Sequence, residues 1–120
     1  DAMKDGVTLW KCIAEIKQRA RTTGLFGKNS IYVGEVGIPE NEHPEHLSER
    51  WDELLGAMLA AEAPYITMWE LYCNELNPKL KPPPAAPIKN FSDVRGFWLV
   101  RPDGSLSETG KFFTGLWKRK

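Results

Sequence analysis

Hydrophobic residues recur at helical spacing in three segments of the chain. In the first, from Asp5 to Thr23, apolar residues fall at every third or fourth position, and Gly24 stands where a helix is commonly capped. The second begins near Leu47 and stops before Pro64. Its apolar side chains give the clearest stripe in the chain: Leu47, Trp51, Leu54, Leu55, Met58 and Leu59. Both segments are therefore predicted to be amphipathic helices.

The third helix is predicted at the end of the chain. It starts near Ser105 or Ser107, because Ser105 and Glu108 have the spacing of a capping box, in which two side chains bond the free amides of the first turn. The residues that follow supply an apolar face, with Phe112, Phe113, Leu116 and Trp117. A capped start followed by an apolar face is typical of a helix that packs against other elements.

Short apolar runs predict strands between these helices. Ile31 to Gly37 and Tyr65 to Tyr72 are rich in β-branched or aromatic residues, which is typical of strands buried in a parallel sheet. A shorter strand is predicted at Phe97 to Val100, before the turn signal Pro102-Asp103-Gly104.

The elements alternate in the order helix, strand, helix, strand, long loop and helix, with the loop running from Cys73 to Ser92. Alternation of this kind predicts an α/β fold with right-handed crossovers and a parallel sheet. Two parallel strands cannot cover both of their faces. We therefore expect the chain to be part of a larger sheet, and to be unstable or self-associating on its own.

The balance of charges excludes some classes of partner. Sixteen Lys and Arg are matched by sixteen Asp and Glu, whereas a nucleic-acid binder normally presents an excess of cations. No apolar run approaches the roughly 20 residues that cross a bilayer. Neither a nucleic acid nor a membrane is predicted as a partner.

Cysteines and histidines do not predict a metal or a cofactor. Cys12 and Cys73 are too few for a disulfide framework or a zinc site, and they are interpreted as buried thiols. His43 and His46 lie among the acidic residues Glu40, Glu42 and Glu45. Their spacing fits no zinc signature, so the cluster is interpreted as the solvated start of a helix, where the dipole favours acids.

Glu35 is the outlier of the first predicted strand. An ionised carboxylate inside an apolar strand is costly unless it is paired or catalytic. Gly34 and Gly37 leave room for close approach to the backbone, and the C-terminal end of a parallel strand is where α/β enzymes place their sites. The alternative is a structural carboxylate neutralised by a neighbouring arginine.

Trp69 occupies the matching place on the second predicted strand. It is either core filler or a flat platform for a ligand with an apolar face, such as a sugar ring. Because side chains alternate along a strand, Trp69 and Glu70 are expected on opposite faces. Tyr72, Asn74 and Glu75 follow in the loop, where their polar groups suit hydrogen bonds to sugar hydroxyls.

Three of these segments resemble a known family. Tyr32-Val33-Gly34-Glu35-Val36-Gly37 resembles the seventh-strand motif of the clan A retaining glycoside hydrolases, the cellulase and mannanase superfamily, with Val36 where an aromatic residue is common. Ile66-Thr67-Met68-Trp69-Glu70 is similar to their eighth strand, which ends in Trp. Gly96-Phe97-Trp98-Leu99 and Arg101-Pro102-Asp103-Gly104 resemble the loop before their last helix.

The resemblance implies a fold and a reaction. Residues 1–120 would form a single domain piece, the C-terminal portion of a (β/α)8 TIM barrel from about helix six to helix eight, incomplete in this chain. Glu35 would be the nucleophile of a retaining glycosidase acting on a β-linked poly- or oligosaccharide, and Trp69, Tyr72 and Asn74 would bind the substrate. No cofactor is implied, and the partners would be the carbohydrate and the remainder of the barrel.

The resemblance also implies that this chain alone is inactive. Retaining glycosidases need a second carboxyl group as acid and base, which in this family is a Glu following Asn at the end of strand four. Asn74-Glu75 follows the predicted strand of Trp69 instead, which is the wrong place. Two alternatives stay open: a non-catalytic carbohydrate-binding or interaction module, and a barrel relative that has lost its activity.

Overall fold

Three α-helices and two β-strands make up the regular structure of the computed structural model, which describes residues 3–24, 31–82 and 90–118. The elements in chain order are α1 Gly6–Thr22, β1 Val33–Val36, α2 Leu47–Ala60, β2 Ile66–Met68 and α3 Glu108–Trp117, with a 3-10 turn at Phe91–Asp93. The proline-rich part of the long loop, residues 83–89, lies outside the described residues.

These residues form two compact units. The first unit comprises the described residues up to 36 together with residues 49–68, and it contains α1, the sheet and most of α2. The second unit comprises residues 37–48 and the described residues from 69 onward, and it contains the long loop and α3.

Local capping sets the ends of α1, close to the predicted bounds. The side chain of Asp5 accepts a hydrogen bond from the Thr8 amide at 2.7 Å, which satisfies one of the free donors of the first turn. At the other end Gly24 has a φ of 65°, the left-handed conformation that favours glycine after a helix. The sequence prediction of a helix stopped by this glycine is confirmed.

The two strands pair in parallel, as the alternation of elements predicts, but they are short. Val33 pairs with Ile66 and Val36 with Met68, with an irregularity between the two pairs. Of the four residues in β1, only Val36 is buried, at 1% exposure. The prediction of a buried strand is therefore wrong for β1, apart from Val36.

The second unit is held by loop contacts and by the cap of α3. Ser107 is the N-cap: its side-chain oxygen accepts from the Gly110 amide at 2.9 Å and donates to the carbonyl of the buried Trp98 at 2.6 Å. Of the two predicted starts of the helix, the structure uses Ser107 and not Ser105. The cap therefore fixes the helix to the core of its own unit.

The predicted fold class, a portion of a (β/α)8 barrel, is wrong for this chain. The described residues contain one two-stranded sheet, and the strand predicted at Phe97 to Val100 does not form. The backbone after β2 bonds irregularly instead, since Glu70 N donates to Phe97 O at 3.3 Å and Leu99 N to Leu71 O at 3.2 Å. These bonds engage the backbone of Phe97 and Leu99 in an irregular loop instead of a strand.

Candidate functional site

Glu35 projects from β1 into solvent. The residue is exposed, whereas the sequence suggested a carboxylate inside an apolar strand. Within residues 3–24, 31–82 and 90–118, no group donates a hydrogen bond to Glu35 and no cation pairs with it. In the described part of the chain, no arginine therefore neutralises Glu35, as a structural role for this carboxylate would require. The Glu35 side chain is accessible to a ligand.

The glycines on either side of Glu35 have different surroundings. At Gly37 a Cβ would lie 2.2 Å from the carbonyl oxygen of Trp69 and 2.9 Å from the ring of Phe97, so only glycine fits there. At Gly34 the nearest atom would be 3.4 Å away, on the Tyr32 ring, which is an ordinary contact. The predicted close approach to the backbone occurs at Gly37, and it is made by the chain's own backbone.

Trp69 belongs to the second unit and is 36% exposed. Its indole Nε1–H donates to Glu75 Oε1 at 2.6 Å, a charge-assisted hydrogen bond. The peptide bond between Trp69 and Glu70 is cis. Because more than a third of its surface stays in solvent, Trp69 is not core filler, and the ring is available as a contact surface.

Glu75 also forms an ion pair with Arg95, which in turn pairs with Glu42. Arg95 Nη1 donates to Glu75 Oε2 at 3.1 Å, and Arg95 Nε donates to Glu42. The guanidinium also lies over the ring of Phe97, 4.6 Å from its centroid. Burial alone would raise the pKa of Glu42, but the hydrogen bond and the charge of Arg95 outweigh it, and the pKa is lowered.

The remaining residues predicted to bind substrate lie in the same loop. Tyr72 is 62% exposed and Asn74 is exposed. Glu70 differs from both, because its Oε1 is buried and has no hydrogen-bond partner among the described residues. Trp69 and Glu70 both follow the end of β2 at Met68, so the alternation expected along a strand stays a prediction for these two residues.

Glu40 is the acid whose setting the sequence did not predict. It is 8% exposed and accepts hydrogen bonds from Trp98 Nε1 at 2.5 Å, from Arg101 Nη2 at 2.6 Å and from the Glu108 amide at 3.1 Å. Burial opposes its ionisation, but the hydrogen bonds from Arg101, Trp98 and Glu108 prevail and lower the pKa of Glu40. The interpretation of this acidic cluster as a solvated helix start is wrong for Glu40 and for Glu42.

A cavity of about 330 Å³ lies beside Glu40 in the second unit. Its walls are Glu40, Asn41, Pro44, Phe91, Trp98 and Arg101. The polar groups of the walls are engaged with one another: Arg101 bonds Glu40, and Asn41 Nδ2 donates to Phe91 O at 2.7 Å and Val94 O at 2.8 Å. These bonds indicate that the cluster stabilises the unit.

Both cysteines are free, and each is half-buried rather than fully buried as expected. In the described part of the chain, no three His, Cys, Asp or Glu side chains lie close enough together to hold a metal ion. None of the described helices has the length and apolar character of a membrane span.

Comparison of the chain with protein-family models, with curated proteins and with solved structures found no match. The assignment of a function therefore depends on the residues themselves. The two features that bear on it are the exposed carboxylate of Glu35 and the exposed, anchored indole of Trp69.

Proposed function

We propose that this chain supplies the nucleophile of a retaining glycoside hydrolase, and that Glu35 is that nucleophile. The observation behind the proposal is the state of Glu35: an exposed carboxylate next to the C-terminal end of a parallel strand, with no partner among the described residues. A nucleophile has to be accessible, and a carboxylate engaged in a structural ion pair would be a poor one. The motif around Glu35 gives the reaction class.

The reaction follows from the chemistry of a carboxylate. One oxygen of Glu35 attacks the anomeric carbon of a β-linked sugar, and the bond from that carbon to the leaving oxygen breaks with its electron pair. A second carboxyl group, about 5 to 5.5 Å away in enzymes of this type, protonates the leaving oxygen and then activates the water that releases the sugar. We assign that second group to no residue of this chain.

Trp69 is proposed to stack on the apolar face of a sugar ring. Its exposure and its anchored N–H suit this role, because a sugar presents C–H groups to an aromatic surface. Tyr72 and Asn74, which are exposed in the same loop, offer a phenol and an amide for hydrogen bonds to hydroxyl groups.

The second candidate function is carbohydrate binding without catalysis. It is favoured by the exposure of both Trp69 and Tyr72, since an exposed aromatic surface is sufficient for binding. The two candidates differ in one respect only: hydrolysis requires Glu35 to form a bond to the sugar, and binding does not.

Activated fluoro-sugars separate these candidates in the 120-residue chain. A 2,4-dinitrophenyl 2-deoxy-2-fluoro-β-glycoside has a leaving group that needs no acid, so a nucleophile alone is able to displace it. The glucoside and the mannoside of this type are both tested. From at least one of them we expect a single release of about one equivalent of dinitrophenolate per chain, measured by absorbance. The fluorine slows hydrolysis of the adduct, so turnover should not follow.

Two variants make the result specific. Glu35→Gln keeps the size of the side chain and removes the attacking charge, so the release should disappear. Glu45→Gln makes the same change at an exposed loop residue and should leave the release unchanged. Binding of the intact oligosaccharide without any release of dinitrophenolate would contradict the hydrolase and support the binding module.

A further inference from the structure

We propose that Glu75 is a positioning residue, which fixes the indole of Trp69 as a platform for the apolar face of a pyranose ring, and that Arg95 and Glu42 hold Glu75 in place. The inference rests on the proposed function for its ligand class, because the platform is of use only to a carbohydrate-binding protein. All four residues belong to the second unit.

The first step is the hydrogen bond between Trp69 and Glu75. An indole has one N–H and no acceptor, so a single partner decides how the ring is turned about its side-chain bonds. Here the partner is a carboxylate oxygen at 2.6 Å. Because Trp69 is 36% exposed, packing alone restrains the ring less than it would in a core, and the hydrogen bond supplies the missing restraint.

The second step is the fixation of Glu75. Its backbone carbonyl accepts from the Arg95 amide at 2.9 Å, and its other carboxylate oxygen accepts from Arg95 Nη1 at 3.1 Å. Arg95 is held in turn by Glu42, whose side chain is only 9% exposed, and by the face of the Phe97 ring. Each carboxylate oxygen of Glu75 therefore has its own partner: Oε2 accepts from Arg95, and Oε1 accepts from Trp69.

The third step concerns the strength of the contact with a sugar. Aromatic faces carry negative charge, and the C–H groups on one side of a pyranose ring are weakly positive. Donation of the indole N–H to a full negative charge moves electron density into the ring, which strengthens this attraction. Glu75 is thus expected to affect both the orientation and the affinity of the platform.

A double-mutant cycle on the full chain tests the inference, with β-1,4-linked gluco- and manno-hexaoses as the probes. Trp69→Phe keeps an aromatic ring but removes the N–H, and Glu75→Ala removes the acceptor. We expect each change to raise Kd about tenfold by calorimetry, and the double variant to be no weaker than Trp69→Phe alone. Glu45→Gln, at an exposed loop position, serves as the matched control and should bind like the unchanged chain.

An NMR spectrum of the indole N–H groups gives a readout that a purely structural role would not move. The Trp69 signal is identified by its loss in Trp69→Phe, and it should shift upfield in Glu75→Ala because the hydrogen bond to the carboxylate is gone. If Glu75→Ala does not fold, Glu75→Gln replaces it. Glutamine keeps a neutral acceptor, so both the shift and the loss of affinity should be smaller but present.

The outcomes separate this inference from the proposed function. A full effect of Glu75→Ala in the Trp69→Phe background, an unmoved indole signal, or no binding of either hexaose would overturn the role of Glu75. Labelling of Glu35 by the fluoro-sugar is measured independently. The hydrolase proposal can therefore fail while Glu75 and Trp69 are found to be coupled, and labelling of Glu35 can be observed while that coupling is absent.

Discussion

At the scale of single residues, three glutamates of the second unit pair with arginines that are distant in the sequence. Glu40 connects Trp98, Arg101 and the first turn of α3, and Glu42 and Glu75 share Arg95. The sequence did not predict either arrangement. The partners of Glu40 lie 58 to 68 positions away along the chain, and no periodic pattern connects residues at that distance.

Replacement of Glu40 by glutamine should destabilise the protein strongly. The change removes the charge that faces Arg101 and replaces one carboxylate oxygen by an NH2 group, which then meets Arg101 and either the indole of Trp98 or the amide of Glu108, all of them donors. We expect the free energy of unfolding in urea to fall by about 3 kcal/mol, the lower end for a broken buried pair, since Arg101 is partly exposed.

Glu45→Gln provides the control for Glu40→Gln. Glu45 is exposed, and the same chemical change there should alter the unfolding free energy by less than about 0.5 kcal/mol. Equal stabilities of the two variants would show that the hydrogen bonds to Glu40 contribute nothing to the fold.

At the scale of elements, local signals predicted the helices and the two paired strands, but they predicted neither the length of those strands nor the absence of a strand at Phe97 to Val100. The apolar stripe of a helix repeats every three or four residues. The caps Asp5, Gly24 and Ser107 lie directly beside the helix ends that they determine. Strand length depends instead on which distant backbone offers partners. β2 ends at Met68, well short of the predicted Tyr72, and beyond it Glu70 and Leu71 bond Phe97 and Leu99 in an irregular pattern.

The two glycines of α3 offer a matched pair of substitutions. A Cβ at Gly110 would lie 2.3 Å from the carbonyl oxygen of Leu99, whereas a Cβ at Gly115 would meet no atom within 4 Å. Gly110→Ala should therefore lower the unfolding free energy by about 1 to 3 kcal/mol, because the helix has to move away from Leu99. Gly115→Ala should raise it by up to about 1 kcal/mol, because alanine favours the helix.

Thermal or urea unfolding of both variants checks this pair. Opposite signs are the expected result. A Gly110→Ala that is as stable as the unchanged chain would mean that α3 does not pack against Leu99 through Gly110. A destabilised Gly115→Ala would mean that the space around Gly115 is not open.

At the scale of the whole molecule, the motifs did not predict the fold. The segments around Glu35 and Trp69 resemble strands of a barrel, yet the chain forms a two-stranded sheet and two units. A motif of five or six residues specifies local chemistry, whereas a sheet of several strands needs neighbours on both edges of each inner strand. The exposure of Glu35 follows from this short sheet and was not predictable from the apolar run that contains it.

Acid should destabilise the protein through Glu40 and Glu42. The pKa of each is lower in the folded chain than the ordinary value of 4.5. A lowered folded pKa contributes stability that is complete above 4.5 and is lost as the pH falls toward the folded value. The unfolding free energy should therefore decline as the pH falls below about 5.

Urea unfolding at a series of pH values measures this decline. In Glu42→Gln the slope should be shallower, because one of the two acids no longer titrates. An unchanged slope in Glu42→Gln would show that its ion pair with Arg95 does not stabilise the folded chain.

The central claim is that Glu35 forms a covalent bond to a sugar. Its most direct measurement is tandem mass spectrometry of the chain after reaction with an activated 2-deoxy-2-fluoro-β-glycoside. We predict one added fluoroglycosyl group per chain, located on the peptide that contains Glu35 and on the Glu35 side chain itself. An unmodified chain, or a label on any other carboxylate, would contradict the assignment of Glu35 as the nucleophile.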